Sequence, residues 1–164
     1  MKEISFESCF KLGHDTEIHV ANKFLEDEWL VNLNSCKSRH DLWVFNKSPF
    51  LIEVKNEDEY SESGNICIEL YQGKNNIKPS GLKTSESTIY IHTLKEKVVL
   101  YRTQYMRLYI AERWHQLKCL QENFKNADNG NGGLVLAINN FINFSWFDYL
   151  DFKNLTKSKI FRRE

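Results

Sequence analysis

The chain has little of what divides or staples a protein. With two prolines, Pro49 and Pro79, in 164 residues and no stretch rich in serine and glycine, nothing reads as an interdomain linker, so a single domain over 1–164 is expected. The four cysteines, Cys9, Cys36, Cys67 and Cys119, lie far apart and match no zinc-ligand spacing. No secretory leader is legible, and no apolar run approaches the roughly 18 residues that mark a membrane span. Together these absences predict reduced thiols in a cytoplasmic protein without a membrane partner. Charge of one sign is also missing in excess, since 22 Lys and Arg balance 22 Asp and Glu. Attraction to nucleic acid through whole-molecule charge is thereby excluded, and any such binding falls to a local patch.

What is present is ordinary globular material, 41% hydrophobic and 27% charged, enough to bury a core without staples. The most informative stretch runs from His40 to Lys55. Leu42-Trp-Val-Phe45 and Phe50-Leu-Ile52 with Val54 are aromatic and β-branched, and Asn46-Lys-Ser-Pro49 between them is turn chemistry. If Phe45 pairs with Pro49 across a three-residue loop, the same register sets Asp41 directly across from Glu53. Opposed side chains have Cβ atoms about 4.5–5.5 Å apart, and two carboxylates that close repel unless a cation sits between them. Alternation along the strand puts Glu53 and Lys55 on one face and Val54 on the other. A slip of one residue would move Asp41 to the opposite face. The plainer alternative is an amphipathic hairpin with its charges toward water.

Around this hairpin, Gly13-His-Asp-Thr16 is expected to stop one element and to offer Asp15 or Thr16 as the N-cap of a helix from His14 or Asp15 to about Glu28. Its apolar face is Val20, Ala21 and Phe24, with Glu17 one turn ahead of that stripe. Glu17 either complements the helix N-terminus or aims into a site beneath the helix. Trp29 to Leu33 reads as a strand and Asn34 to Arg39 as a polar loop. Asn56 to Gly64 is acidic and turn-rich, expected to be exposed and mobile. Asn65 to Tyr71 alternates again, leaving Glu69 as a third acid or as a partner for a nearby cation. Lys74, Lys78 and Lys83, with Ser80 among them, either hold a phosphate backbone or serve solubility.

Thr88 to Leu94 is expected as a strand, and Arg102 to Lys125 as one long helix striped by Met106, Tyr109, Ile110, Leu117, Leu120 and Phe124. Asp128 to Gly133 should end that helix. It lacks the lysine of a phosphate-binding loop and precedes a strand, Leu134 to Ile138, so no nucleotide role is read there. Phe144 to Leu150 is aromatic enough to need packing partners. Lys157, Lys159, Arg162 and Arg163 form a basic tail.

A helix carrying an acid, Asp41 heading one strand and Ile52-Glu-Val-Lys55 ending the next together resemble the PD-(D/E)XK nuclease superfamily. They look most like its branch of archaeal Holliday-junction resolvases and related phage and restriction nucleases. The resemblance implies an α/β fold, a mixed central β-sheet flanked by helices. Its core would span about 13–94, and a C-terminal extension over about 95–164 would set the substrate or a homodimer interface. It further implies an endonuclease that hydrolyses DNA phosphodiester bonds with Mg²⁺ (or Mn²⁺). Asp41 and Glu53 match the metal-binding acids, Lys55 the catalytic lysine and Glu17 the helix acid, and the Val54 carbonyl would complete the metal site. His40 stands where the family name expects proline, and Glu69 and Gln72 match nothing. The alternative is a catalytically inactive nuclease-fold module that binds nucleic acid or a protein partner, in keeping with the zero net charge and the acidic stretch after Lys55. A small α/β interaction protein with a chance motif is the third reading.

Overall fold

Alternating apolar residues sort the strands into two sheets. The computed structural model describes residues 6–34, 40–58, 62–73, 76, 78–119, 124–126 and 132–162. A first helix, α1 (Phe6–Glu26), is followed by β1 (Leu30–Leu33), β2 (Leu42–Asn46), β3 (Ser48–Asn56), β4 (Asn65–Gln72) and the two-residue β5 (Lys78–Pro79). Then come β6 (Ile89–Leu94), β7 (Lys97–Arg102), α2 (Thr103–Glu112), α3 (Trp114–Cys119), β8 (Phe124–Asn126), β9 (Gly132–Ala137) and β10 (Phe147–Asp151). Short 3-10 turns occupy Gly81–Lys83, Phe152–Lys157 and Lys159–Phe161.

The first sheet has six strands in the order β1-β2-β3-β6-β7-β10. It is mixed, because β3 and β6 run parallel while the other neighbours are antiparallel. This is the expected α/β class. A second sheet, β5-β4-β9-β8, was not foreseen. The residues after Leu94 are woven into both sheets, through β7 and β10 in the first and β9 in the second.

Two cores separate the layers. On one face of the first sheet, Phe50, Ile52, Val54, Ile89 and Ile91 pack under Val20, Ala21 and Phe24 of α1, with Leu155 and Ile160 from the C-terminal turns. On the other face, Tyr90, Val99 and Tyr101 meet Ile66, Ile68 and Leu70 of β4, Leu134 and Leu136 of β9, and Met106 of α2. The aromatic end finds its partners here, with the Phe141 ring 5.1 Å from Phe147 and 6.0 Å from Trp146. Ile52 and Ile89, at 0% and 1% exposure, each contribute on the order of 1.5–3 kcal/mol through burial. A surface ion pair contributes only about 0–1 kcal/mol. Apolar burial therefore sets the strand registers.

Several expectations are corrected. The helix does not begin at His14 but runs through Gly13, whose missing side chain faces open space. Thr16 does not cap it; its hydroxyl donates to the Leu12 carbonyl one turn back, at 2.8 Å. A glycine inside a helix costs roughly 0.5–1 kcal/mol, which the buried stripe of α1 outweighs. The long helix is two short ones, because Arg113 leaves helical backbone at φ −109 and ψ 10, and Phe124–Asn126 is strand. Strand β7, ahead of it, was not anticipated. The acidic stretch is not wholly exposed: Glu57 is buried, accepts the Cys67 N–H at 3.2 Å and sits 3.0 Å from His92 Nδ1. Residues 35–39, 59–61, Leu120, 127–131 and Arg163 lie outside the described residues. No described helix is long and apolar enough to cross a membrane.

One glycine lets the turn after β5 lie directly against β4. Gly81 has φ +51, and a Cβ there would stand 2.5 Å from the Glu69 carbonyl oxygen. Gly81→Ala is expected to cost about 1–3 kcal/mol through this backbone collision. The loss should appear as a lower urea midpoint with an unchanged slope.

Candidate active site

The site starts from the β2–β3 hairpin. Phe45 pairs with Pro49 in the register read from the sequence, and Asn46 pairs with Ser48 as well, so the turn closes on Lys47 alone at φ 64. The ladder runs to Leu42 opposite Ile52. Asp41 follows at the end of this pair, its backbone held from both sides. Its N–H donates to the Ile52 carbonyl at 2.8 Å, and its carbonyl accepts the Asn34 N–H at 2.9 Å. Its carboxylate oxygen Oδ2 accepts the Val54 N–H at 2.7 Å.

Because Ile52 and Val54 are buried against α1, Glu53 and Lys55 face the other way, toward the second sheet. Lys55 Nζ donates to Glu53 Oε1 at 2.7 Å, with the Glu53 side chain 13% exposed and that of Lys55 38%. The parallel pairing adds neighbours that the sequence did not reveal, since Glu53 lies beside Tyr90 and Lys55 beside His92. Ser85 Oγ donates to the second Glu53 oxygen at 3.4 Å and lies in hydrogen-bond contact with Ser87 Oγ at 2.8 Å. Arg107 of α2 ties down the loop that carries Ser85, donating to the Leu82 carbonyl at 2.7 Å and to the Ser85 carbonyl.

The electrostatics follow from burial. Removal from water, then repulsion by Glu53, raises the Asp41 carboxyl to about 7 from 3.8, against the pull of the Val54 N–H and Lys55. Burial works against the Lys55 ammonium, yet the Glu53 carboxylate and the more distant Asp41 outweigh it and hold the lysine charged. Two acids and a lysine are thus gathered as the sequence suggested, at the strand end.

Glu17 arrives differently from either expectation. It lies well inside α1, beyond the first turn where the helix dipole acts, so that reading is lost. Nor does α1 cover the face of Glu53; it packs on the Ile52 and Val54 side. The Asn56 side chain bonds Thr16 Oγ1 at 3.0 Å and fixes α1 at the end of β3. Glu17 sits 3.4 Å from His14 Nδ1, and its charge still reaches Asp41, pushing that carboxyl further up.

Other candidates stand apart. Glu69 accepts the Ser80 hydroxyl on the face of β4 turned away from the core, and does not join the acid pair. Lys83 donates to the Tyr71 hydroxyl, its ammonium 3.8 Å from the centre of that ring. It borders a cleft of about 440 Å³ shared with Leu82, Arg107, Ile110 and Trp114. Lys78 is exposed on the edge strand β5, and Lys74 lies outside the described residues. On the face of Glu53, Trp43 and Phe45 present stacked rings with centroids 6.0 Å apart and planes 13° apart.

Among the described residues, no group of three or more His, Cys, Asp or Glu side chains is placed to hold a metal ion. Two carboxylates meet the lesser demand of Mg²⁺, which is commonly bound through one or two acids and keeps several waters.

No protein-family model and no curated protein matches this chain. Among solved structures it is similar to a bacterial homing endonuclease, I-Ssp6803I. The identity is 14% over 57% of this chain and 68% of that one, with a TM-score of 0.47.

The raised Asp41 carboxyl has a measurable consequence. Between pH 4 and pH 7 the unfolded chain loses this proton while the folded protein keeps it, so the unfolded state binds fewer protons and stability falls as pH rises. Urea midpoints of the wild type should therefore drop more from pH 5 to pH 8 than those of Asp41→Asn. The variant should be the more stable protein at pH 8. Equal pH dependence in the two proteins contradicts the shift.

Proposed function

We propose that this chain is a divalent-cation-dependent nuclease of the PD-(D/E)XK kind that hydrolyses DNA phosphodiester bonds at Asp41, Glu53 and Lys55. The observation that carries the reading is the pair of acids held together at the end of β2 and β3, with Asp41 pushed up to about 7 by burial and by Glu53. A cation between them relieves that repulsion. The Val54 N–H keeps Asp41 from turning away, and the Val54 carbonyl would complete the ligand set.

When bound, Mg²⁺ or Mn²⁺ supplies polarisation of a phosphoryl oxygen and a more acidic water. Lys55 orients that water or offsets charge developing on phosphorus, a role its raised pKa suits because it stays cationic. Glu17 adds negative charge on the helix side of Asp41. The Trp43 and Phe45 rings offer stacking surface to bases flanking the bond, and stacking is indifferent to sequence. Lys78 is open to phosphate contact, whereas Ser80 and Lys83 must first release Glu69 and Tyr71.

One observation favours a second reading, a catalytically inactive module that binds nucleic acid or a protein. The 2.7 Å contact of Lys55 with Glu53 already neutralises one acid without a cation. The two readings part in one assay, with supercoiled, single-stranded and branched DNA incubated with Mg²⁺, Mn²⁺ or EDTA. The nuclease cleaves with either ion and not with EDTA. Asp41→Asn and Glu53→Gln abolish cleavage while remaining folded. Lys55→Ala lowers kcat and kcat/KM together, and Glu17→Gln slows turnover at unchanged DNA affinity. Binding without cleavage under every condition decides for the inactive module.

A further inference from the structure

Tyr90 carries an unspent hydrogen-bond donor at the edge of the acid pair. The residue is 2% exposed, and among the described residues its hydroxyl is the one buried side-chain oxygen or nitrogen without a hydrogen-bond partner. Buried polar groups are almost always paired, because an unpaired one keeps the cost of leaving water. Tyr90 cannot swing away to find a partner. Its ring is stacked on Tyr101 with centroids 5.4 Å apart and planes 6° apart, and stacks on His92 at 6.1 Å.

The register shows where the hydroxyl belongs. Tyr90 lies beside Glu53 in the parallel pair of β3 and β6, so the two side chains leave the sheet on the same face. The Ser85 hydroxyl donates to Glu53 at 3.4 Å and lies 2.8 Å from Ser87 Oγ. After burial, the Glu53 charge is the largest influence that holds the phenol protonated, with the Ser85 hydroxyl first and then Lys55 and Arg107 acting against it. Tyr90 and Glu53 are thus close enough to interact and not in direct hydrogen bond. A water between two polar groups resolves that geometry, and it finds here the two or more partners that a buried water needs.

We propose that Tyr90 is a positioning residue of this site, its hydroxyl donating to a water shared with Glu53 and so orienting one of the waters that a divalent cation takes up there. The proposal rests on the metal-binding reading of Asp41 and Glu53. It gives β6 a part in a site otherwise built from the hairpin. Loss of such an outer partner typically weakens metal affinity about 10–100-fold.

The test uses the full chain and Mn²⁺ alone as probe, titrated calorimetrically into wild type, Tyr90→Phe and Asp41→Asn, with urea unfolding of each in EDTA. Wild type should bind Mn²⁺ and Asp41→Asn should not. Tyr90→Phe should bind at least about tenfold more weakly, while its unfolding midpoint in EDTA equals or exceeds that of wild type because no hydrogen bond within the protein is lost. Equal Mn²⁺ affinity in wild type and Tyr90→Phe overturns the role of Tyr90 and leaves the metal site standing. A lower midpoint in EDTA also overturns it, since the hydroxyl then serves the fold. Wild type that takes up no Mn²⁺ overturns the metal reading and this proposal with it.

Discussion

The alternation of β3 is the constraint on which the rest depends. Phe50, Ile52 and Val54 are buried under α1, and a one-residue slip would send all three to the opposite face. The same alternation fixes Glu53 and Lys55 on the other side at no further expense. Each fully buried aliphatic side chain is worth on the order of 1.5–3 kcal/mol. For opposed carboxylates at roughly 5 Å, repulsion at an effective dielectric of about 20 is on the order of 3 kcal/mol. Burial of three apolar side chains exceeds that, so the hairpin can hold two acids together without losing its register.

The acids are not equivalent, and the difference comes from their partners. Glu53 has Lys55 on one oxygen and Ser85 on the other. Asp41 has one backbone N–H and a long-range share of the lysine, too little to compensate its burial. A proton therefore gathers on Asp41 near neutral pH. A cation would displace that proton, which makes the carboxyl with the poorest set of partners the one most changed by metal.

How much of this was legible in the sequence depended on the range of the interaction. The hairpin register could be read because a tight turn transmits it locally, and Asn46-Lys-Ser-Pro49 announces the turn. Tyr90 could not be found, because its place beside Glu53 rests on a parallel pairing between strands more than thirty residues apart, which no local pattern encodes. Glu57 was taken for a solvated acid since it lies among charges, and its burial depends on His92 and the Cys67 N–H, both remote in sequence. Strand β7 was missed because Val98-Val-Leu-Tyr101 is a short continuous apolar run that does not alternate. It is buried on both faces, by α1 and the C-terminal turns on one side and the second sheet on the other. The helix start was misplaced by Gly13-His-Asp-Thr16, stop chemistry that here lies inside a continuing helix, with His14 and Asp15 exposed and Thr16 buried.

The position of the site follows from where pairing changes. β2 leaves β3 after Leu42 and Ile52, while β6 stays with β3 as far as Asn56 and Thr93. Beyond Ile52, then, β3 has a neighbour on one side only, and the Val54 N–H that a longer β2 would have taken is free to bind a side chain. Asp41 takes it. The same divergence leaves Asp41 at an edge, where Glu53 approaches from one face of the sheet and the charge of Glu17 from the other. Extending β2 by two residues would cover this gap with backbone, satisfy Val54 and leave Asp41 without its anchor. The open strand end is therefore what converts an ordinary amphipathic hairpin into a place where acids from two layers meet.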